Sequence, residues 1–169
     1  MKRIPFKTAI GTTLLAAALA AVSFPGLLTV SASTPVDASS AANRELIGTW
    51  EVQASVRDCN SHAVLRSFPT LLTFGAHGTL TESTAGIAPA VRGPGHGSWR
   101  MTDRGTYFAV FKAFRFDSAG NWIGVQTLSQ EITLDETGAF TSNASIQITD
   151  TAGNIVNSGC ATSTGVRLE

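Results

Sequence analysis

The three histidines are the residues of this chain that catalysis or metal binding would most readily use. His62, His77 and His96 form no HxH or HExxH motif and have no Cys/His partner at zinc-ligand spacing. His96 lies within residues 93–97 (GPGHG), where it could act as a general acid or base or simply remain solvated. Ser98 follows, but the Gly-x-Ser-x-Gly pattern of a nucleophile elbow is missing. We therefore predict no catalytic residue, no cofactor and no metal.

Two cations stand out because they interrupt an aromatic segment. Lys112 and Arg115 lie within residues 106–117, and simple strand alternation would place them on opposite faces. One of them could therefore point into an apolar interior and bind an anionic head group such as a fatty-acid carboxylate. The alternative is that both are solvated charges with buried stems. A surface position is expected for three other cations, Arg57, Arg92 and Arg100.

The same segment is apolar on both faces. One stripe contains Phe108, Val110, Phe114 and Phe116, and the other contains Tyr107, Ala109, Phe111 and Ala113. Core packing accounts for one stripe. The other requires an oligomer or partner interface, contact with a ligand, or a bulge that exchanges the faces.

The elements that position these residues are short alternating strands between turn clusters. Turn signals such as residues 75–78 (GAHG) and 135–138 (DETG) separate the strands at the spacing of an antiparallel meander. The predicted strands cover about residues 47–58, 68–74, 79–84, 97–102, 106–117, 122–134, 140–148 and 155–168. The pattern predicts an all-β fold, an eight-stranded antiparallel up-and-down β-barrel. Leu72, Phe74 and Leu80 should point inward.

One connection is longer than a hairpin turn. Residues 85–97 are rich in proline and glycine and have little apolar period, so we expect a loop over the mouth of the barrel. A small hydrophobic ligand could bind beneath it. The residues expected to contact such a ligand are Trp99, Lys112, Phe114, Arg115, Phe116 and Trp122.

The two cysteines test this topology. Cys59 ends the first predicted strand and Cys160 lies within the last. A single disulfide between them would close the barrel, with paired positions summing to about 219, which places Trp50 near Glu169 and within reach of Arg167. Two separate thiols, or a metal or redox pair, are the alternatives, although no CxxC spacing is present.

The N-terminal region has the pattern of an export signal. A basic start precedes an apolar stretch from Ala9 to about Val30, and cleavage is expected after Ala32, with Ala18-Leu19-Ala20 as a second possible site. An uncleaved anchor is the alternative, but Pro25 interrupts the run before it reaches the roughly 20 apolar residues of a spanning helix. We expect a signal peptide at 1–32, a disordered linker at 33–44 and a barrel domain at 45–169, secreted or periplasmic and not stably inserted in a membrane.

Charge excludes one class of partner. Removal of the signal peptide leaves 9 basic against 12 acidic residues, without a basic run. A mildly acidic surface of this kind argues against nucleic-acid binding.

A family resemblance can now be stated on particular residues. Gly48 and Trp50 at the start of the first strand, with Arg167 near the end of the last, resemble the lipocalin and fatty-acid-binding group, the calycins. The resemblance implies that Trp50 closes one end of the barrel and that Arg167 packs across it, a structural role. The PGHG and GCA segments are also similar to those of uncharacterised bacterial exported proteins.

Three functions are compatible with these patterns. The first is binding of a small hydrophobic molecule, a fatty acid or similar, without catalysis. The second is a protein-binding or protease-inhibitor-like barrel, with self-association through the 106–117 strand. The third is a barrel cyclase or isomerase, which would need buried polar groups near His96, Arg100 or Glu131.

Overall fold

The computed structural model describes residues 45–168, and the predicted signal peptide (1–32) and linker (33–44) lie outside the described residues. The described chain forms eight strands and a single turn of 3₁₀ helix, Ala76–Gly78. The strands are β1 (Gly48–Arg57), β2 (Val64–Phe74), β3 (Thr79–Thr84), β4 (Gly95–Asp103), β5 (Thr106–Phe116), β6 (Trp122–Leu134), β7 (Phe140–Thr149) and β8 (Ile155–Arg167).

The strands form one closed sheet. Each strand pairs antiparallel with the next along the chain, and β1 also pairs with β8, so no edge strand remains in the barrel. This confirms the prediction of an all-β, eight-stranded antiparallel up-and-down barrel. Residues 45–168 contain no helix that is long and apolar enough to cross a membrane.

Strand bounds agree with the sequence pattern except at the starts of β2 and β4. β2 begins at Val64 rather than near 68, because Val64 and Arg66 pair with Arg57 and Val56 at the end of β1. β4 begins at Gly95, which shortens the long connection to residues 85–94. Leu72, Phe74 and Leu80 are buried, as predicted.

The disulfide joins Cys59 and Cys160, with 5.3 Å between their Cα atoms. It is the predicted pairing, but the register differs by two residues. Cys59 lies in the turn beyond β1, so that Arg57 pairs with Cys160 and Trp50 pairs directly with Arg167. The bond closes a loop of 101 residues. In the chain-entropy model a loop of this size stabilises the fold by about 4.7 kcal/mol.

One end of the barrel is closed by packed aromatic rings. Trp50 and Phe140 lie 5.1 Å apart between ring centroids, and Phe74 stands edge-on to both Phe140 and Trp99. Tyr107 contacts Trp99 and is fully buried. These rings leave no space inside, so we call this the closed end.

Arg167 covers the closed end from outside. Its guanidinium lies 4.5 Å from the centre of the Trp50 ring and donates to the backbone carbonyls of Glu45 and Ile47. The Trp50 indole N–H donates to Leu46 O at 3.0 Å.

Gly48 is required beneath Arg167, because its φ is +137° and a Cβ would meet the Arg167 side chain. This is the packing that the calycin resemblance implies.

The opposite end is the open end, formed by the turns after β1, β3, β5 and β7. Residues 117–121 (DSAGN) and 150–154 (DTAGN) are near-identical turns. In each, the aspartate accepts backbone hydrogen bonds and the asparagine side-chain amide, which holds the pKa of Asp117 and of Asp150 below its usual range. The two turns hold β5–β6 and β7–β8 in register at the open end.

We predict that Gly165→Ala destabilises the barrel, whereas Gly159→Ala on the same strand does not. A Cβ at Gly165 would lie 2.3 Å from the Phe140 ring, while one at Gly159 would meet nothing closer than 3.9 Å. Overpacking should lower the free energy of unfolding by about 1–3 kcal/mol. Urea denaturation of the two variants measures the difference, and equal midpoints would contradict the packed closed end.

Candidate functional site

The interior between the two ends contains a cavity of about 80 Å³. Its wall on β1, β7 and β8 consists mostly of small side chains, and the facing wall carries larger ones from β2, β5 and β6. Small wall residues are Ala54, Ser142, Ala144, Ala161 and Ser163, and larger ones include Phe68, Leu72, Phe111 and Leu128. The cavity exists because the small side chains do not fill the width of an eight-stranded barrel.

A buried ion pair lies against this cavity. Arg92, from the loop of residues 85–94, turns its side chain inward and its Nη1 donates to Glu82 Oε2 at 2.9 Å. The Arg92 and Glu82 side chains are 3% and 4% exposed. Arg92 Nε also donates to Gln126 Oε1 at 2.8 Å. The side chain of Arg92 therefore anchors the loop inside the barrel.

Burial raises the pKa of Glu82, and Arg92 opposes that effect by favouring the carboxylate. The Gly95 N–H also donates to this carboxyl group. Paired in this way, the two charges neutralise each other inside the barrel.

Gln130 lies deeper, at the boundary with the closed end. It is 4% exposed and its Oε1 accepts from Ser142 Oγ at 3.1 Å, while the Ser142 and Ser163 hydroxyls are 2.7 Å apart. Within residues 45–168, Gln130 Nε2 is a buried donor without a hydrogen-bond partner. Most buried polar atoms in proteins are paired, so this donor marks a place where a ligand acceptor could bind.

The open end has a wider recess of about 670 Å³ that shares Val56, Arg66, Ile87, Gln126 and Ile146 with the cavity. The cavity that Gln130 lines and the recess at the open end therefore adjoin along these five residues. The loop of residues 85–94 crosses this end, with Gly93 N donating to Phe114 O and Phe116 N donating to Val91 O.

Arg115 lines the recess together with Arg57 and Arg66. Its Nε is buried and has no hydrogen-bond partner among the described residues.

The structure places the predicted ligand-contacting residues in three regions. Trp99 is buried in the closed end, where its indole N–H donates to Gly75 O, and Arg115 lies in the recess. The prediction that the others line the interior needs correction. Lys112, Phe114 and Trp122 are exposed on the outer surface, and Phe116 shares their stripe.

The reason is which set of alternating β5 side chains faces the interior. Trp99 pairs with Ala109, which sets Tyr107, Ala109, Phe111, Ala113 and Arg115 inward and the alternate stripe outward. Phe114 is 61% exposed and stacks edge-on against Trp122, which is 48% exposed. Core packing thus accounts for the Tyr107 stripe, and the Phe114 stripe remains on the surface.

Sequence reasoning missed the polar residues of the interior. The expectation that Arg92 lies at the surface is wrong. Its side chain is buried and pairs with the Glu82 carboxylate, and no local sequence pattern indicates that pairing. Glu82, Gln126 and Gln130 were not singled out. Strand alternation could have found them, since Glu82 follows the inward Leu80 by two residues, and Gln130 precedes Ile132 by two.

The residues considered for catalysis do not converge. His96 and Glu131 are exposed, and His62 and His77 lie in turns. Among the described residues no group of three or more His, Cys, Asp or Glu side chains could hold a metal ion.

Comparison with known proteins identifies no relative: no protein-family model matches the chain, and no curated protein matches it.

We predict that Arg92→Met destabilises the barrel by about 3–5 kcal/mol, because it leaves the Glu82 carboxylate buried without its counter-charge. The double variant Glu82→Leu/Arg92→Met should recover most of that loss, since it removes both charges. Chemical denaturation of both variants and the wild type measures this. A double variant no more stable than Arg92→Met would contradict a charge penalty and would indicate that anchoring of the loop dominates.

Proposed function

We propose that this protein binds a small hydrophobic molecule inside its barrel and has no catalytic activity. The observation that carries the proposal is the interior cavity lined by Gln130, which lies between the aromatic rings of the closed end and an adjoining recess at the open end. Ligand sites are typically concave and mostly apolar, with a few polar groups that orient the ligand. The interior has this composition, with a wall of alanine, leucine and phenylalanine beside Gln130 and Arg115.

The size of the cavity limits the ligand. About 80 Å³ is roughly half of an engineered 150 Å³ cavity known to bind benzene, so the deep part accepts a narrow group. The rest of the molecule would occupy the recess of about 670 Å³. An elongated molecule fits this shape better than a globular one.

We also propose where in the cell the protein is located. A disulfide is typical of proteins that fold outside the reducing cytoplasm. Together with the basic and apolar pattern of residues 1–32, it supports a secreted or periplasmic, calycin-like binding protein.

We predict that Ala144→Leu weakens binding of the neutral, unbranched polyene probe parinaryl alcohol by about tenfold or more, a change of about 1.4 kcal/mol. Ala144 lines the cavity, and the added carbon atoms would occupy it. Asn143→Leu is the matched control, because the neighbouring side chain is exposed outside the barrel. Fluorescence titration of the disulfide-bonded proteins measures both affinities.

Two outcomes would contradict the proposal. One is that the wild type does not bind the probe, and the other is that both variants lose affinity equally, which would place the probe outside the interior. Native mass spectrometry of the protein from its own exported fraction provides a second measurement, since a retained apolar molecule is expected.

A second candidate function is self-association through the outer face of β5. The exposed Phe114–Trp122 pair favours it, because large aromatic side chains exposed together are enriched at protein interfaces.

If so, Phe114→Ser/Trp122→Ser should convert a concentration-dependent dimer to a monomer in sedimentation velocity experiments. Leu71→Ser, at an exposed apolar position on β2, is the control and should leave the dimer intact. A wild type that sediments as a monomer at all concentrations would contradict this candidate.

A further inference from the structure

We propose that the buried end of the ligand is a neutral hydrogen-bond acceptor, such as the carbonyl of a ketone, an ester or a lactone, and that Gln130 Nε2 donates to it. This inference rests on the proposed function and specifies the ligand class for the same cavity. It departs from the fatty-acid head group expected at Lys112 or Arg115, because the deep donor is an amide and not a cation.

The first step concerns Gln130 itself. Its carboxamide oxygen is held by Ser142, which fixes the side chain while Nε2 remains unpaired. A buried donor without an acceptor carries the cost of its lost hydration. A ligand acceptor at this position would remove that cost, whereas an alkyl group would leave it in place.

The second step concerns charge. The buried guanidinium of Arg92 already donates to Glu82, Gln126 and the Gly93 carbonyl. Glu82 and Arg92 both line the cavity and cancel each other's charge. Arg66, the other charged residue of the lining, is exposed and donates to the Gly86 carbonyl of the loop. A carboxylate buried beside Gln130 would therefore lack a buried counter-charge, which is strongly unfavourable. A neutral acceptor avoids that penalty.

The third step concerns space. Gln130 pairs with Ala144 on β7, and Ala144 pairs with Ala161 on β8. The methyl side chains of Ala144 and Ala161 line the cavity beside the Gln130 amide. The cavity, of about 80 Å³, admits a group of a few heavy atoms. A terminal acetyl group fits this space, with its alkyl chain extending toward the recess.

Arg115 provides the competing arrangement. It pairs with Gly124, six residues from Gln130 along β6, which is about 20 Å at the rise of an extended strand. A fatty acid with its carboxylate at Arg115 would direct its apolar tail toward Gln130 and leave Nε2 unpaired. The two arrangements therefore differ in which end of the ligand is deep and in their dependence on Gln130.

The test measures the affinities of 2-nonanone, nonane, 2-nonanol and nonanoate by isothermal titration calorimetry. Wild-type protein should bind 2-nonanone most tightly, and Gln130→Leu should weaken that binding by about tenfold while changing nonane affinity little. Gln147→Leu is the matched control, because Gln147 is exposed on the outer face of β7, and it should retain wild-type affinities.

A second measurement does not depend on a variant that folds. The infrared carbonyl stretch of ¹³C-labelled 2-nonanone bound to the wild type should move to lower wavenumber than in hexane, as it does when a carbonyl accepts a hydrogen bond. An unshifted stretch would overturn the inference.

The remaining outcomes separate the two proposals. Tighter binding of nonanoate, unaffected by Gln130→Leu, would overturn the inference and place the head group at Arg115. Equal affinities for 2-nonanone and nonane, or a preference for 2-nonanol that Gln130→Leu leaves unchanged, would overturn it as well, and in both cases the proposed function would stand. Failure of the wild type to bind any of the four would overturn the proposed function and this inference with it.

Discussion

Pairing between the first and last strands is the constraint on which the rest of this structure depends. Without the β1–β8 ladder the sheet would be open, with two exposed edges and no enclosed interior. Cys59 and Cys160 bridge these two strands at the open end, and Arg167 covers Trp50 at the closed end. Closure is thus stabilised at both ends of the same ladder, so the interior can contain a cavity without loss of the barrel.

The distribution of side-chain volume decides where that cavity lies. Large rings meet at the closed end, where Gly165 leaves room for Phe140. Further along the barrel the wall of β1, β7 and β8 changes to alanine and serine, and the rings from the facing wall do not reach across. The same eight strands therefore provide a packed core at one end and a cavity toward the other, so the cavity does not cost the barrel its aromatic core.

Polar groups inside the barrel determine what the cavity can bind. The ion pair of Glu82 and Arg92 neutralises its own charge and attaches the loop of residues 85–94 to the interior. Gln130 Nε2 and Arg115 Nε are left as buried donors without a hydrogen-bond partner among the described residues. Under the proposed function, the position of a hydrogen-bond acceptor would decide which ligands fit the cavity more than net charge would.

The sequence by itself determined the number of strands, their bounds to within a few residues, the barrel and the disulfide, because alternation, turn residues and cysteine usage are local signals. It left open whether Lys112 or Arg115 points inward or both are solvated, since a shift of one residue reverses every side chain on a strand. Only the tertiary structure placed Phe114 and Trp122 outside, paired Arg92 with Glu82 and left Gln130 unpaired. Those relations join residues from different strands and a loop, and they depend on how the barrel closes, which no local pattern encodes.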